Sequence, residues 1–143
     1  MEQELRKEAR KLLEEGEVDY IVGFAPGSLK FSTTPLITKE KEEVASLVIN
    51  PFIVNNLAKF LTEVLGRVGI VAKGCDSRSI VSLIQDNQIA RENVVIIGVP
   101  CSGLIDIVKV EKLVGKDRDE IGDIALQGEK VAVIVGGEKT ELP

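Results

Sequence analysis

The apolar positions along the chain change period several times, and each change predicts an element. Leu5, Ala9, Leu12 and Leu13 recur at helical spacing in a Lys/Glu-rich background. They predict a helix with a narrow apolar stripe, closed by Gly16 at the C-cap position. Val18 to Ala25 reads as a strand, with Tyr20, Ile21, Val22 and Phe24 at its centre. Pro26-Gly27-Ser28 marks a turn. Phe31 to Thr38 tolerates β structure but contains Pro35, so it is expected as an edge strand or an extended loop. Lys39 to Leu47 predicts a short charged helix. Asn50-Pro51 is the best helix start in the chain, and Val54, Leu57, Phe60, Leu61, Val64 and Leu65 continue at helical spacing to Gly66.

Two short, continuous apolar runs follow, Val68 to Ala72 and Val94 to Val99. Between them, Lys73 to Arg78 turns the chain and Ile80, Val81, Leu83 and Ile84 form the apolar face of a helix. Apolar strands separated by a helix predict a βαβ unit in a parallel sheet buried on both faces. Ile107 to Val114 predicts a short helix. Ile124-Ala125-Leu126, a Gln-Gly-Glu-Lys turn and Val131 to Val135 predict a β-hairpin, and Gly136-Gly137 reads as a bend or a fray. The expected fold class is α/β: a parallel βαβ core with flanking helices and a C-terminal β-hairpin. Residues 1–143 are expected to form a single domain. Leu142-Pro143 carries no termination signal, so the chain is compatible with being part of a longer subunit.

Composition narrows the chemistry. The chain has 18 Lys+Arg against 23 Asp+Glu, a formal net charge of −5, which argues against a basic nucleic-acid binder. One Tyr, four Phe and no Trp leave little for base stacking. The absence of histidine excludes Ser-His and Cys-His nucleophile pairs and HExxH zinc chemistry. Two cysteines are too few for a thiolate-only zinc site, which takes four, or for a secreted disulfide scaffold. No apolar run approaches the roughly 20 residues that span a bilayer. A charged N-terminus without an apolar signal core completes the expectation of a soluble cytoplasmic protein that binds no membrane.

The candidate chemistry lies in two turns that follow the paired strands. Cys75 and Cys101, 26 residues apart, are each expected just past the carboxyl end of a parallel strand, where open α/β sheets bind ligands. In Lys73-Gly74-Cys75-Asp76-Ser77-Arg78, Gly74 permits close approach, Asp76 or Ser77 can cap the next helix, and Lys73 and Arg78 add positive charge. Free amides at a helix start suit the phosphate of a nucleotide-like cofactor. The plainer alternative is a capped strand-to-helix turn with both basic residues in water, since neither the Walker A nor the GxGxxG spacing is present. In Gly98-Val99-Pro100-Cys101-Ser102-Gly103, two Gly and a Pro shape a tight loop. Cys101 reads as an activated thiol, a cluster ligand or a cofactor contact, or as a half-buried structural Cys. A stable Cys75–Cys101 disulfide is not expected in the cytosol, whereas a reversible one is chemically feasible.

The paired stretches Val71-Ala72-Lys73-Gly74-Cys75-Asp76-Ser77-Arg78-Ser79 and Val94-Val95-Ile96-Ile97-Gly98-Val99-Pro100-Cys101-Ser102-Gly103 resemble the coenzyme F-420 hydrogenase/dehydrogenase beta subunit family. The resemblance is strongest from Gly69 to Asp106. It implies an electron-transfer module that binds FAD or a deazaflavin and works beside iron–sulfur or hydrogenase and formate dehydrogenase subunits of anaerobes. Carried over, Lys73, Gly74, Cys75, Asp76, Ser77, Arg78, Gly98, Pro100, Cys101, Ser102 and Gly103 line the cofactor region. The family's CxxC clusters are missing, and two isolated Cys complete no iron–sulfur site. The chain is thus expected as a cluster-free N-terminal portion or a stand-alone remnant. A non-catalytic scaffold docking an iron–sulfur partner, and a thiol redox module using Cys75 and Cys101 as candidate catalytic thiols, are the alternatives.

Overall fold

The computed structural model describes residues 1–143. Its elements are α1 (Glu2–Glu14), β1 (Tyr20–Pro26), β2 (Thr33–Thr38), β3 (Val68–Ala72), α2 (Gly74–Gln85), β4 (Val94–Gly98), α3 (Ile107–Val114), β5 (Ile121–Gln127), β6 (Lys130–Val135) and β7 (Glu138–Leu142). The chain divides into two compact units. One comprises Met1–Pro26, Thr34–Ile49 and Asn55–Pro100; the other comprises Gly27–Thr33, Asn50–Val54 and Cys101–Pro143.

The first unit is built on a four-stranded sheet in the order β2-β1-β3-β4. β1, β3 and β4 run parallel, with Tyr20 opposite Val68, Val68 opposite Val94 and Ala72 opposite Gly98. The β3-α2-β4 segment is the expected βαβ unit. All five residues of β3 are buried, which is why it reads as an unbroken apolar run, and five consecutive residues of β1 are buried beside it. β4 differs from the expectation of two covered faces. It lies at the sheet edge, its burial alternates, and Ile96 is exposed. β2 holds the other edge, where a proline lacking an N–H is tolerated.

Helix α1 buries Leu5, Ala9 and Leu12, each leucine contributing roughly 1.5–3 kcal/mol of burial. Its polar side is anchored too. Arg6 Nε donates to the Leu47 carbonyl at 2.8 Å, and the Glu2 carboxylate accepts from the Ile49 amide at 2.8 Å. Gly16, at φ 69°, ends the helix as expected.

Two expected α-helices are replaced by 3₁₀ turns. The 39–47 segment forms one turn at Glu43–Ser46. The helix expected from Asn50 to Gly66 survives only at Leu57–Thr62. Asn50 does cap, accepting from the Phe52 amide at 2.9 Å, but the chain turns again when Val54 N–H bonds to the Phe52 carbonyl. Asn56 then starts the 3₁₀ turn by accepting from Ala58 N–H. Asn side chains that bond their own backbone compete with helix propagation. Residues 50–54 and 55–66 also belong to different units, and burial of Phe52 and Ile53 outweighs the helical period.

The second unit pairs α3 with an antiparallel sheet, β5-β6-β7. Its core joins Phe52, Ile105, Val110, Ile121, Ile124 and Val133. The expected hairpin is present, with a third strand that periodicity missed. Glu-Lys-Thr-Glu-Leu in β7 is nearly all polar and exposed, so it carries no apolar alternation. Gly136-Gly137, at φ 57° and 86°, makes the bend into it. Asp106 caps α3 through one oxygen, which accepts from Val108 and Lys109 N–H, and Gly115 closes the helix at φ 70°.

Two outcomes are expected. A Cβ on Gly23 overlaps Leu47 Cδ2 and lies 3.2 Å from Val71 Cγ2, so Gly23→Ala should cost about 1–3 kcal/mol in a urea melt. Arg118 bonds both oxygens of Glu111 and holds its carboxyl below the ordinary value. The contribution of that pair is therefore complete above the unfolded Glu pKa of about 4.3 and is lost as pH falls through the lower folded value. Melting temperatures from pH 6 to 3 should fall less steeply for Glu111→Gln than for the natural chain.

Candidate functional site

α2 begins at Gly74, directly after the Lys73 junction, so Gly74 to Arg78 form the first turn of a helix. Asp76 sits at the third helical position and reaches back to accept the Lys73 N–H at 3.2 Å. The Asp76 and Ser77 amides donate to the Lys73 carbonyl at 3.0 and 3.1 Å. Capping thus comes from Asp76 inside the helix, while Ser77 Oγ bonds the Gly74 carbonyl at 2.7 Å.

Lys73 does not face water, as the plainer alternative had both basic residues do, and its charge is not free for a ligand. Its side chain is 1% exposed, and its ammonium lies 2.8 Å from Asp76, which is 4% exposed. The ammonium also donates to the Asn55 carbonyl at 3.2 Å and sits 4.7 Å from the centroid of the Phe24 ring. The long stem follows a strand whose every residue is buried, so it has nowhere to go but inward. The cost of burying an ammonium is offset by the carboxylate, the carbonyl and the ring face.

This pairing shapes what the helix start can hold. Asp76 would otherwise cancel the positive end of the helix, but Lys73 neutralises it. The Gly74 and Cys75 amides occupy the first two helical positions, which have no intrahelical acceptor. A Cβ at Gly74 would meet nothing within 4 Å, and Cys75 and Arg78 are exposed. Two amides without an intrahelical acceptor and open space beside them, with an exposed Arg78 in the same helix, are features that suit an anion. Asn56 Nδ2 donates to Ser79 Oγ at 2.8 Å and ties the 55–56 loop to the same turn. Phe24, Asn55, Asn56 and Ser79 were not among the candidate site residues read from the sequence. Only the Asn55-Asn56 pair ahead of a helical pattern gave a signal there, as a cap.

The remaining candidates lie elsewhere. Gly98 ends β4, and the Val99 amide donates to the Ala72 carbonyl at 3.0 Å, so the ends of β3 and β4 are adjacent. Gly98 and Pro100 line a cavity of about 290 Å³ with Glu4 and Glu8 of α1 and with Met1, whose terminal ammonium pairs with Glu4 at 3.1 Å. Cys101, Ser102 and Gly103 open the second unit; all three are exposed, and Cys101 Sγ lies 3.8 Å from the Gly103 carbonyl. Exposure removes the half-buried structural alternative for Cys101. Both cysteines are free thiols.

No family model matches the sequence. A chain of the F420-reducing NiFe hydrogenase complex from Methanosarcina barkeri has the same fold. The TM-score is 0.67 at 16% identity, over 99% of this chain and 57% of that one. This chain therefore spans little more than half the length of that neighbour. No helix is long and apolar enough to cross a membrane.

Breaking the buried pair should be costly. Asp76→Ala removes the carboxylate beside a buried ammonium and should lose about 3–5 kcal/mol in chemical denaturation. Lys73→Met combined with Asp76→Asn, which retains an acceptor for the Lys73 amide, should recover a measurable part of that loss.

Proposed function

We propose that this chain is a cofactor-binding redox module related to those of hydrogenase complexes. The first turn of α2 takes a phosphate of FAD or a deazaflavin. The observation that carries the reading is the open anion seat of Gly74, Cys75 and Arg78 at the carboxyl end of a parallel strand. The shared fold with a chain of the F420-reducing hydrogenase complex supports it.

A flavin bound at this edge supplies one- and two-electron redox chemistry. The chain's own residues bind and orient. The Gly74 and Cys75 amides donate to a phosphate oxygen, and Arg78 adds a charge-assisted contact. The Lys73–Asp76 pair holds the turn in shape without leaving a net charge beside the anion. Cys75 lies close enough to that seat to contact a bound group. With two cysteines these residues complete no four-thiolate cluster, so electrons come from an iron–sulfur or hydrogenase-type group outside them.

The test is a visible spectrum of the chain purified anaerobically, supplied with excess FAD or deazaflavin and desalted. A retained band near one flavin per chain is expected. Arg78→Ala should weaken affinity about tenfold, the loss of one hydrogen bond to a charged group. Gly74→Val, which fills the seat, should do the same while moving the denaturation midpoint by no more than about 0.5 kcal/mol. A chain that retains no flavin, or variants that bind as well as the natural chain, would leave the docking scaffold as the better account.

A further inference from the structure

The second unit contains a cavity of about 460 Å³ that the preceding reading does not use. Its volume falls within the range of small-molecule sites. Phe31 and Phe52 form one wall, with ring centroids 5.4 Å apart and planes tilted by 42°. A chain with only four Phe places two of them here. Val54, Leu104 and Val108 line the mouth and are 57%, 42% and 49% exposed. Three large apolar side chains left in water around one opening are unusual for a surface without a ligand.

The polar groups select the ligand. Thr33 Oγ1 donates to the Phe52 carbonyl at 2.9 Å, and Ser32 Oγ donates to the Leu29 carbonyl at 2.6 Å, so both hydroxyl protons are engaged. Asp106 Oδ1 accepts from the Val108 and Lys109 amides at 3.0 and 3.2 Å, while its second oxygen has no partner within the chain. At this helix start the capping carboxylate engages the Val108 and Lys109 amides, and its negative charge disfavours an anion. A cation or a hydrogen-bond donor finds an unshared carboxylate oxygen beside an aromatic wall. The Lys30 ammonium lies on the Phe31 ring at 5.2 Å and bonds the Ile121 carbonyl. It is absent from the cavity lining, which presents Asp106 as its only charged side chain.

We infer that this cavity binds a small aromatic molecule bearing a cationic group, the ring packed on Phe31 and Phe52 and the cation held at Asp106. Packing of a third ring on a tilted pair is favourable in edge-to-face or offset geometry. The site lies wholly within the second unit and does not depend on the flavin reading of α2.

The experiment is methyl NMR of the full chain titrated separately with tryptamine, indole and indole-3-acetate. These probes share one ring system and differ in charge. Tryptamine should give saturable shifts at Val54, Leu104, Ile105 and Val108. It should bind about two- to fivefold more tightly than indole, the range of an exposed ion pair, with indole-3-acetate weakest. Asp106→Asn keeps a good helix cap and should erase the preference for tryptamine over indole. Leu104→Asp, at an exposed position, should abolish ring binding while leaving the denaturation midpoint in place. The proposal is overturned by shifts that do not saturate, by shifts scattered outside the cavity, or by equal affinity for the three probes.

Discussion

The buried pairing of Lys73 with Asp76 is the constraint on which the first unit's functional edge depends. It sits where the central strand ends and the crossover helix begins. One carboxylate caps the helix, neutralises the lysine and fixes the angle at which the chain leaves the sheet. The lysine in turn reaches the Asn55 carbonyl and the face of Phe24, joining β1, β3, α2 and the 55–62 segment around a single ammonium. A buried ion pair is a weak source of net stability but a strong source of specificity when each partner has further bonds. Here its product is an empty, neutral shelf at the start of α2, with two amides pointing outward.

The fold distributes its charges so that the two faces of the sheet's carboxyl end differ. The α2 start offers amides and Arg78, whereas the Gly98–Pro100 side carries Glu4 and Glu8 from α1. In the second unit the logic is reversed. α3 is capped by a carboxylate with an oxygen to spare, and its surroundings are aromatic and aliphatic. The two helix starts prefer opposite partners because one capping carboxylate is neutralised and the other is not.

Much of this organisation was legible in the sequence. The unbroken apolar runs of β3 and β4 with the helical period of Ile80 to Ile84 between them identified a parallel βαβ core, and Ile124 to Leu126, the Gln-Gly-Glu-Lys turn and Val131 to Val135 identified a C-terminal hairpin. The location of the KGCDSR turn at a strand-to-helix junction followed from the same pattern. Three things were hidden. The burial of Lys73 depends on what lies above the strand end, and local composition says only that lysines prefer water. The Asn50–Gly66 segment has a genuine helical period, but it is divided between two units that each claim part of its apolar surface. β7 forms because Val131 to Val135 offers it a partner, an interaction between segments that a polar pentapeptide does not announce.

The discontinuity of the second unit has a consequence for how the chain is made. Phe31 and Phe52 emerge in synthesis well before the residues that cover them, from Ile105 to Val133. Until then two aromatic side chains have no core to enter, and closing loops of such length slows the search for native contacts. A ribosome pausing before Cys101 would thus hold a first unit with its strands already encoded and two apolar loops still waiting. For the same reason, cutting the gene at Cys101 would not yield two independent halves, since the C-terminal piece would lack the two rings that line its own interior.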